Sequence, residues 1–125
     1  MTSELAWIGG EVAGSVDDGP FPGVRRRTSR SEKATIASYV FGAGAVFPTH
    51  RHDQEQITVI LSGEVEFNIN GDAHRLQAGQ TFVVAPDVEH GLRAGPSGAS
   101  FLAIVVPPRA RADAYELTQP PTAAP

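Results

Sequence analysis

The sequence predicts an all-β domain, either a sandwich or a barrel. Many short strand candidates are separated by breaks that contain glycine, proline or asparagine. Within 64–70, apolar Val65, Phe67 and Ile69 alternate with polar residues, which produces one apolar and one wet face. No stretch shows an amphipathic helical period. Short strands joined by regular turns are typical of sandwiches and barrels.

The strand candidates follow one another with little chain between them. They cover 24–30, 34–42, 47–51, 56–61, 64–70, 73–77, 81–85, 89–94 and 99–106. The strongest hairpin signal is Asn70-Gly71, because both central positions of a tight hairpin turn require positive φ, which these two residue types tolerate.

The length of 125 residues suits one domain with a core of its own. We expect an irregular N-terminal arm over 1–22, a barrel over 23–109 and a C-terminal tail over 110–125. The last part of this tail is expected to be disordered, and 113–117 could form a short turn of helix.

Composition argues against several classes of protein. There is no cysteine, which excludes disulfides and thiolate metal sites and is compatible with a cytoplasmic location. The N-terminus lacks the pattern of a signal peptide, and no apolar run approaches the roughly 20 residues of a membrane span. The net charge is −4, and the basic cluster at 25–27 with Arg30 suits a solvated strand edge or a small anion. We therefore expect neither nucleic acid nor membrane as a partner.

Histidines and one glutamine form a candidate metal site. His50 and His52 are two residues apart, so in a strand their side chains project to the same face. Gln56 lies four residues after His52, an even separation that keeps its side chain on the same face if the strand continues. His90 follows a separate break at 85–87. Three imidazoles and one amide oxygen from different strands would suit one divalent transition metal. His74, on the predicted hairpin, is expected to be exposed and is not assigned as a ligand.

These residues lie in a longer pattern that resembles the two motifs of the cupin superfamily. The pattern is Gly44-x5-His50-x-His52-x3-Gln56-x6-Gly63, then Gly79-x5-Ala85-Pro86-x3-His90. The resemblance implies a cupin double-stranded β-helix, also called a jelly-roll barrel, with a metal on His50, His52, Gln56 and His90. It departs from the usual motifs at Gln56, where a glutamate is common, and around 85–87.

A subgroup of small bacterial cupins with a His/His/Gln/His site is similar in more detail. The shared strings are 50–58, 61–64, the opening 22–26 and the ending Pro107-Pro108-Arg109. One member type is the pectin-degradation cupin, which converts unsaturated uronates to open-chain keturonates and carries an aspartate where this chain has Ala103. An alanine cannot transfer a proton, so the resemblance supports the metal site more than that substrate.

The chemistry of the site suggests the class of ligand. Neutral imidazoles and a neutral amide leave the full +2 charge on the metal, which favours anionic ligands and polarises carbonyl or enolate oxygens. Zn, Ni, Fe, Co and Mn all suit three nitrogens and one oxygen. Arg25, Tyr39 and Arg109 are the candidate residues for contacting a substrate, with a surface or core role as the alternative for each.

The sequence favours a metal-dependent enzyme of non-redox type, such as an isomerase, lyase, cyclase or decarboxylase. Its substrate would be a small anionic or carbonyl compound. A metal-dependent dioxygenase and a non-catalytic binding or sensing protein are the alternatives. Apolar residues on both faces of 57–61 and 99–106 predict a homodimer, because a lone barrel would leave one of these faces exposed.

Overall fold

A computed structural model describes residues 16–17, 19, 21–108 and 115–118. Within these residues the chain is entirely β-structure and turns. The strands are β1 (Val16–Asp17), β2 (Val24–Arg30), β3 (Thr35–Phe41), β4 (Val46–Arg51), β5 (Glu55–Ile69), β6 (Asp72–Gln77), β7 (Thr81–Val84), β8 (His90–Val106) and β9 (Glu116–Leu117). No helix in the described part of the chain has the length and apolar character to cross a membrane.

The strands form two curved antiparallel layers that share the long strands β5 and β8. One layer, the front sheet, runs β1-β2-β3, then the second half of β8, the first half of β5, and β7. The other, the back sheet, contains β6, the second half of β5, the first half of β8, β4 and β9. The predicted all-β jelly-roll barrel is therefore confirmed.

Two predicted breaks are bends inside strands rather than turns between them. The segments 56–61 and 64–70 form one strand, β5, and 89–94 and 99–106 form another, β8. The β5–β8 register shifts between Ile60 and Ser62 and again between Gly63 and Val65. Irregularities of this kind bend a strand without ending its pairing, which is how both strands pass from the front sheet to the back sheet.

The predicted hairpin turn at Asn70-Gly71 is confirmed. Asn70 has φ of 48° and Gly71 has φ of 90°, and the flanking residues Ile69 and Asp72 are paired across the turn. Both central residues are thus in the left-handed region that a two-residue hairpin requires.

The interior of the barrel has an apolar end and a polar end. At the apolar end, the fully buried side chains include Val24, Phe41, Ile60, Val65 and Phe101. At the polar end, the buried polar side chains include His50, His52, Gln56, Thr58 and His90. Apolar side chains are expected in a core, whereas a group of buried polar side chains requires partners for its polar atoms.

The outer face of the front sheet carries many apolar residues. Val40, Leu61 and Val83 are each more than half exposed there, and the partly buried residues Ile36, Ile57, Val59, Leu102 and Ile104 have the same outward parity. The sequence prediction that these strands are apolar on both faces is confirmed for this sheet.

The segment Tyr115–Thr118 returns to the barrel and pairs with the edge strand β4. Leu117 lies opposite His50, and Glu116 lies opposite Arg51. The expectation of a helical turn at 113–117 is wrong for its described part, because pairing with an open strand edge satisfies backbone groups that a single helical turn would leave without partners. The expected disorder concerns residues after 118, which lie outside the described part of the chain.

Candidate metal centre

The three histidines of the two sequence motifs come together at the polar end of the barrel. His50 is on β4 and lies directly opposite His90 on β8, and His52 follows the end of β4. The ring centroids of His50 and His90 are 4.2 Å apart, and those of His52 and His90 are 4.9 Å apart. One ligand nitrogen from each residue lies within 4.8 Å of those of the other two. This buried group suits a divalent metal ion.

Backbone carbonyls determine which nitrogen of each ring faces the centre. Nδ1 of His50 donates to the Pro48 carbonyl at 2.8 Å, Nδ1 of His52 donates to the Gln54 carbonyl at 3.0 Å, and Nδ1 of His90 donates to the Val88 carbonyl at 2.9 Å. A carbonyl oxygen only accepts, so each Nδ1 carries the proton. Each Nε2 then presents a lone pair, which is the form of histidine that binds metals.

Gln56 lies beside these rings with its amide held by a neighbour on the same strand. Its Nε2 atom donates to the Thr58 hydroxyl at 3.1 Å, and its Oε1 atom lies 3.1 Å from Nε2 of His52. Because the proton of His52 is on Nδ1, Nε2 of His52 is an acceptor, and Oε1 of Gln56 is an acceptor as well. Two acceptors at this distance repel each other unless a proton or a cation lies near both.

Local backbone features bring the histidine-bearing segments together. The β4–β8 register shifts by one residue between Phe47 and His50, a bulge that contains Pro48, whose carbonyl accepts from His50. A Cβ atom added at Gly91 would lie 3.0 Å from the Phe47 carbonyl oxygen, tighter than most real contacts. The small residue next to His90 therefore allows β4 to approach closely.

The turn before His90 is joined to the first motif. The Asp87 backbone N–H donates to the His52 carbonyl at 2.8 Å. Asp87 has φ of 63°, in the left-handed region that aspartate enters more readily than most side chains. Asp87 thus satisfies the turn geometry at a position where related motifs carry glycine.

A small cavity adjoins the histidines on their inner side. It is lined by Tyr39, Phe47, His50, Gln56, His90, Leu92, Phe101 and Ala103. Its volume of about 10 Å³ is close to the minimum that holds one water molecule. The residue that the sequence comparison singled out, Ala103, is on this wall and is buried.

The segment Tyr115–Thr118 lies beside the site, next to His50 on β4. The Tyr115 ring centroid lies 5.3 Å from that of His50 and 5.4 Å from that of Phe47. This residue was not assigned to the site from the sequence, because its approach depends on a strand pairing between segments more than 60 positions apart. Thr58 was missed as well, although its position two residues after Gln56 gives it the same parity.

The substrate-contact candidates have different outcomes. Tyr39 is buried, lines the cavity and stacks on Phe101 with centroids 5.2 Å apart. Arg25, a candidate for contacting a substrate, is exposed on the outer face opposite Val40, because alternation along β2 directs its neighbour Arg26 inward instead. Arg109 lies outside the described residues. His74 is exposed and packs on Phe82, away from the three histidines.

Comparison with known proteins supports this description of the fold. The family model described as a cupin domain matches residues 37–106. KdgF from Halomonas sp. is 26% identical, with a TM-score of 0.71, over 77% of this chain and 88% of that chain. An RmlC-like cupin from Shewanella frigidimarina is 27% identical, with a TM-score of 0.70, over 78% of this chain and 86% of that one. The predicted resemblance to small bacterial cupins of the pectin-degradation type is confirmed.

More distant structures share the fold. An oxalate decarboxylase from Lactobacillus farciminis superposes with a TM-score of 0.75 at 16% identity, covering 84% of this chain but only 34% of that chain. At this identity the likeness concerns the fold alone. Among proteins with a curated function, none matches this sequence.

Proposed function

The chain belongs to the cupin domain family, and on that premise we propose that it is a metal-dependent enzyme acting without redox chemistry on a small anionic or carbonyl compound. Isomerisation, lyase chemistry, cyclisation and decarboxylation are the reaction classes that fit. The observation that carries the proposal is the set of three buried imidazoles, each with Nδ1 donating to a backbone carbonyl so that Nε2 presents its lone pair to a common centre.

Gln56 is proposed as the fourth ligand. Its Oε1 atom and Nε2 of His52 lie 3.1 Å apart. Two ligands at right angles on one ion, each at a bond length of about 2.1 Å, are separated by about 3 Å. A cation near both atoms therefore removes their repulsion at the separation observed. The hydrogen bond to Thr58 holds the amide so that its oxygen, rather than its nitrogen, faces the histidines.

The donor set determines what a bound metal would offer a substrate. All four proposed ligands are neutral, so the site would keep a charge of +2 and attract a carboxylate or another anion. A divalent ion bound here would supply Lewis-acid polarisation of a carbonyl oxygen. Zn, Ni, Fe, Co and Mn are all compatible with three nitrogens and one oxygen.

The remaining lining residues suggest how the protein would assist. Phe47, Leu92 and Phe101 give the inner side of the site buried apolar walls, and an apolar surround strengthens electrostatic interactions there. Tyr39 is one of the residues that line the cavity. It is the ionisable lining residue that is not a proposed ligand, so we propose its hydroxyl as the group that holds or delivers a proton during the reaction.

The first experiment measures metal binding. The chain would be purified without added metal, its metal content determined by mass spectrometry, and Zn²⁺, Ni²⁺, Co²⁺ and Mn²⁺ binding measured by calorimetry. We expect one ion per chain, lost in His50→Ala and retained in the matched control His74→Ala, which removes an exposed histidine. Equal binding by both variants would contradict the site.

The second experiment tests turnover. Metal-loaded protein would be screened against small keto acids, sugar acids and diketones by thermal shift, and each stabilising compound followed by NMR. New product without oxygen consumption supports the proposal. Oxygen consumption that accompanies product would favour the dioxygenase alternative, and ligands that return unchanged would favour a binding or sensing protein.

The outer face of the front sheet is proposed as the contact with a second copy of this chain. It combines exposed Val40, Leu61 and Val83 with Arg25 and Arg27 at one edge. Glu55 is exposed with the same outward parity at the far corner. Two copies related by a twofold axis can cover each other's apolar residues and place the arginines of one near Glu55 of the other.

Sedimentation velocity tests this interface. We expect a species of about twice the 13.2 kDa chain mass, converted to monomer by Val83→Asp but not by Ala73→Asp, a control at an exposed position on β6. A wild-type monomer at micromolar concentration would contradict the proposal.

A further inference from the structure

We propose that Tyr115–Thr118, hereafter the strap, is a gate that opens and closes the metal site, with Tyr115 as the residue that restricts access. This inference rests on the proposed function, because it assigns the strap a role at the same metal centre. It adds a part of the chain that lies outside the sequence motifs and outside the matched cupin domain at 37–106.

The strap is held directly on the strand that carries a candidate ligand. The Thr118 backbone N–H donates to the Thr49 carbonyl at 3.0 Å, and Leu117 lies opposite His50 in the β4–β9 pairing. Movement of the strap would therefore change the surroundings of His50.

Tyr115 covers the metal site from the edge of the barrel. Its ring packs on His50 and on Phe47, the residue that lines the inner cavity next to His50. The cavity on that inner side has a volume of about 10 Å³, the space of about one water molecule. A carboxylate is larger than one water molecule, so this cavity alone does not hold such a substrate, and the strap is a described segment whose opening would enlarge the space beside His50.

The strap combines the packing of Tyr115 on the core with a short backbone pairing and an exposed ion pair. Its strand has only two residues, and its ion pair, between Arg51 Nε and Glu116 Oε1 at 3.0 Å, joins side chains that are 45% and 69% exposed. Exposed ion pairs contribute little, and short peripheral elements open locally at low free-energy cost. β4 and β8, by contrast, are paired within the barrel. The strap can thus open while the histidines keep their arrangement.

Metal exchange measures this gate without knowledge of the substrate. The full chain would be loaded with Ni²⁺, and stopped-flow mixing with a chromophoric chelator would give the dissociation rate. Association would be followed with apoprotein, and the equilibrium constant measured separately. A gate that supplies no ligand changes the association and dissociation rates of the metal by the same factor. Tyr115→Ala should therefore raise both Ni²⁺ rates by about ten-fold. The equilibrium constant for Ni²⁺ binding should stay unchanged.

A reversible lock provides the complementary test. Arg51 and Glu116 are directly opposite each other, at the separation of about 5 Å that a disulfide can bridge. The chain has no cysteine, so the double variant R51C/E116C forms one defined bond. We expect both Ni²⁺ rates to fall when it is oxidised and to recover when a phosphine reductant is added. The control is E66C/R75C, a facing pair on the β5–β6 hairpin, which should leave both rates unchanged.

The outcomes separate the gate from the metal site. Full Ni²⁺ binding with unchanged rates in Tyr115→Ala and in the oxidised lock would overturn the gate and leave the proposed function standing. If Tyr115→Ala binds Ni²⁺ more weakly at equilibrium and its association is no faster, Tyr115 has a structural role, and this outcome would also overturn the gate. Absence of Ni²⁺ binding by the unmodified chain would overturn the proposed function, and the gate with it.

Discussion

The two ends of the barrel interior are equally buried but chemically opposite. Phe41 and Phe101 at the apolar end pack with ring centroids 5.1 Å apart, and both are almost fully inaccessible. His50 and His90 at the polar end are also inaccessible, and their centroids are even closer, at 4.2 Å. Burial by itself therefore does not distinguish a residue that stabilises the fold from one that serves the site.

The difference lies in what each end gains from burial. The aromatic rings gain hydrophobic and dispersion energy on leaving water. The imidazoles must keep their hydrogen bonds, and each does so with a backbone carbonyl two residues away. We infer that the apolar end supplies the folding free energy and that the polar end is retained for binding, and the following predictions test this division.

The largest expected effect is at the apolar end. Phe41→Ala should lower the free energy of unfolding by about 3–5 kcal/mol, because it leaves a cavity in a closely packed cluster. Urea denaturation of the metal-free chain measures this change. The matched control is Asn68→Ala, at an exposed position on β5 outside the proposed dimer contact, where a change within about 0.5 kcal/mol is expected. Comparable losses of unfolding free energy in both variants would contradict the inference that the apolar end supplies the folding free energy.

The next effect is at the polar end and should appear in binding rather than in folding. His90→Ala should weaken Ni²⁺ or Zn²⁺ binding by more than about 100-fold. Mutation of a residue that only supports a metal ligand typically lowers metal affinity by about 10- to 100-fold, and removal of a ligand itself should lower it further. The unfolding free energy of the metal-free chain should change less than in Phe41→Ala. If His90→Ala instead unfolds the metal-free chain, the polar end is part of the folding core and the division is wrong.

A smaller effect sharpens the electrostatic part of the argument. Gln56→Glu should tighten divalent metal binding by about ten-fold, because a carboxylate lowers the charge of the loaded site from +2 to +1. The same change should weaken the binding of small carboxylates to the loaded protein. Calorimetry with metal and then with a carboxylate measures both. Tighter binding of both ligands would contradict the proposed role of the neutral amide.

The smallest effect concerns the support of the amide. Thr58→Val keeps the shape of a fully buried side chain and removes the acceptor for Gln56 Nε2. Metal affinity should fall by about five-fold, less than for loss of a ligand, because the amide oxygen would no longer be held toward the histidines. Calorimetry measures this loss, and His74→Ala serves again as the unaffected control. A larger loss than in His90→Ala would reverse the predicted order.

Much of the fold and of the candidate site could be predicted from local patterns. Alternation in 64–70 and the Asn70-Gly71 turn depend on neighbouring residues, so they were predicted correctly. The spacing of His50 and His52 predicts side chains on one side, and the structure brings both to the same site although His52 lies just after the end of β4. The arrival of His90 opposite His50 was an inference from the resemblance to the family motifs, and the structure confirms it.

Other features depend on distant pairing and could not be predicted in this way. Alternation shows that Arg25 and Arg26 point in opposite directions, but only the pairing of β2 with β3 decides that Arg25 is the outward one. The sequence by itself determined the β-class and the Asn70-Gly71 hairpin turn, because these follow from residue type and short spacing, and its resemblance to the cupin motifs identified the three histidines that meet in the structure. Only the tertiary structure decided that Thr58 supports Gln56 and that Tyr115–Thr118 lies over the site, because side-chain contacts and strand partners depend on how the whole chain folds.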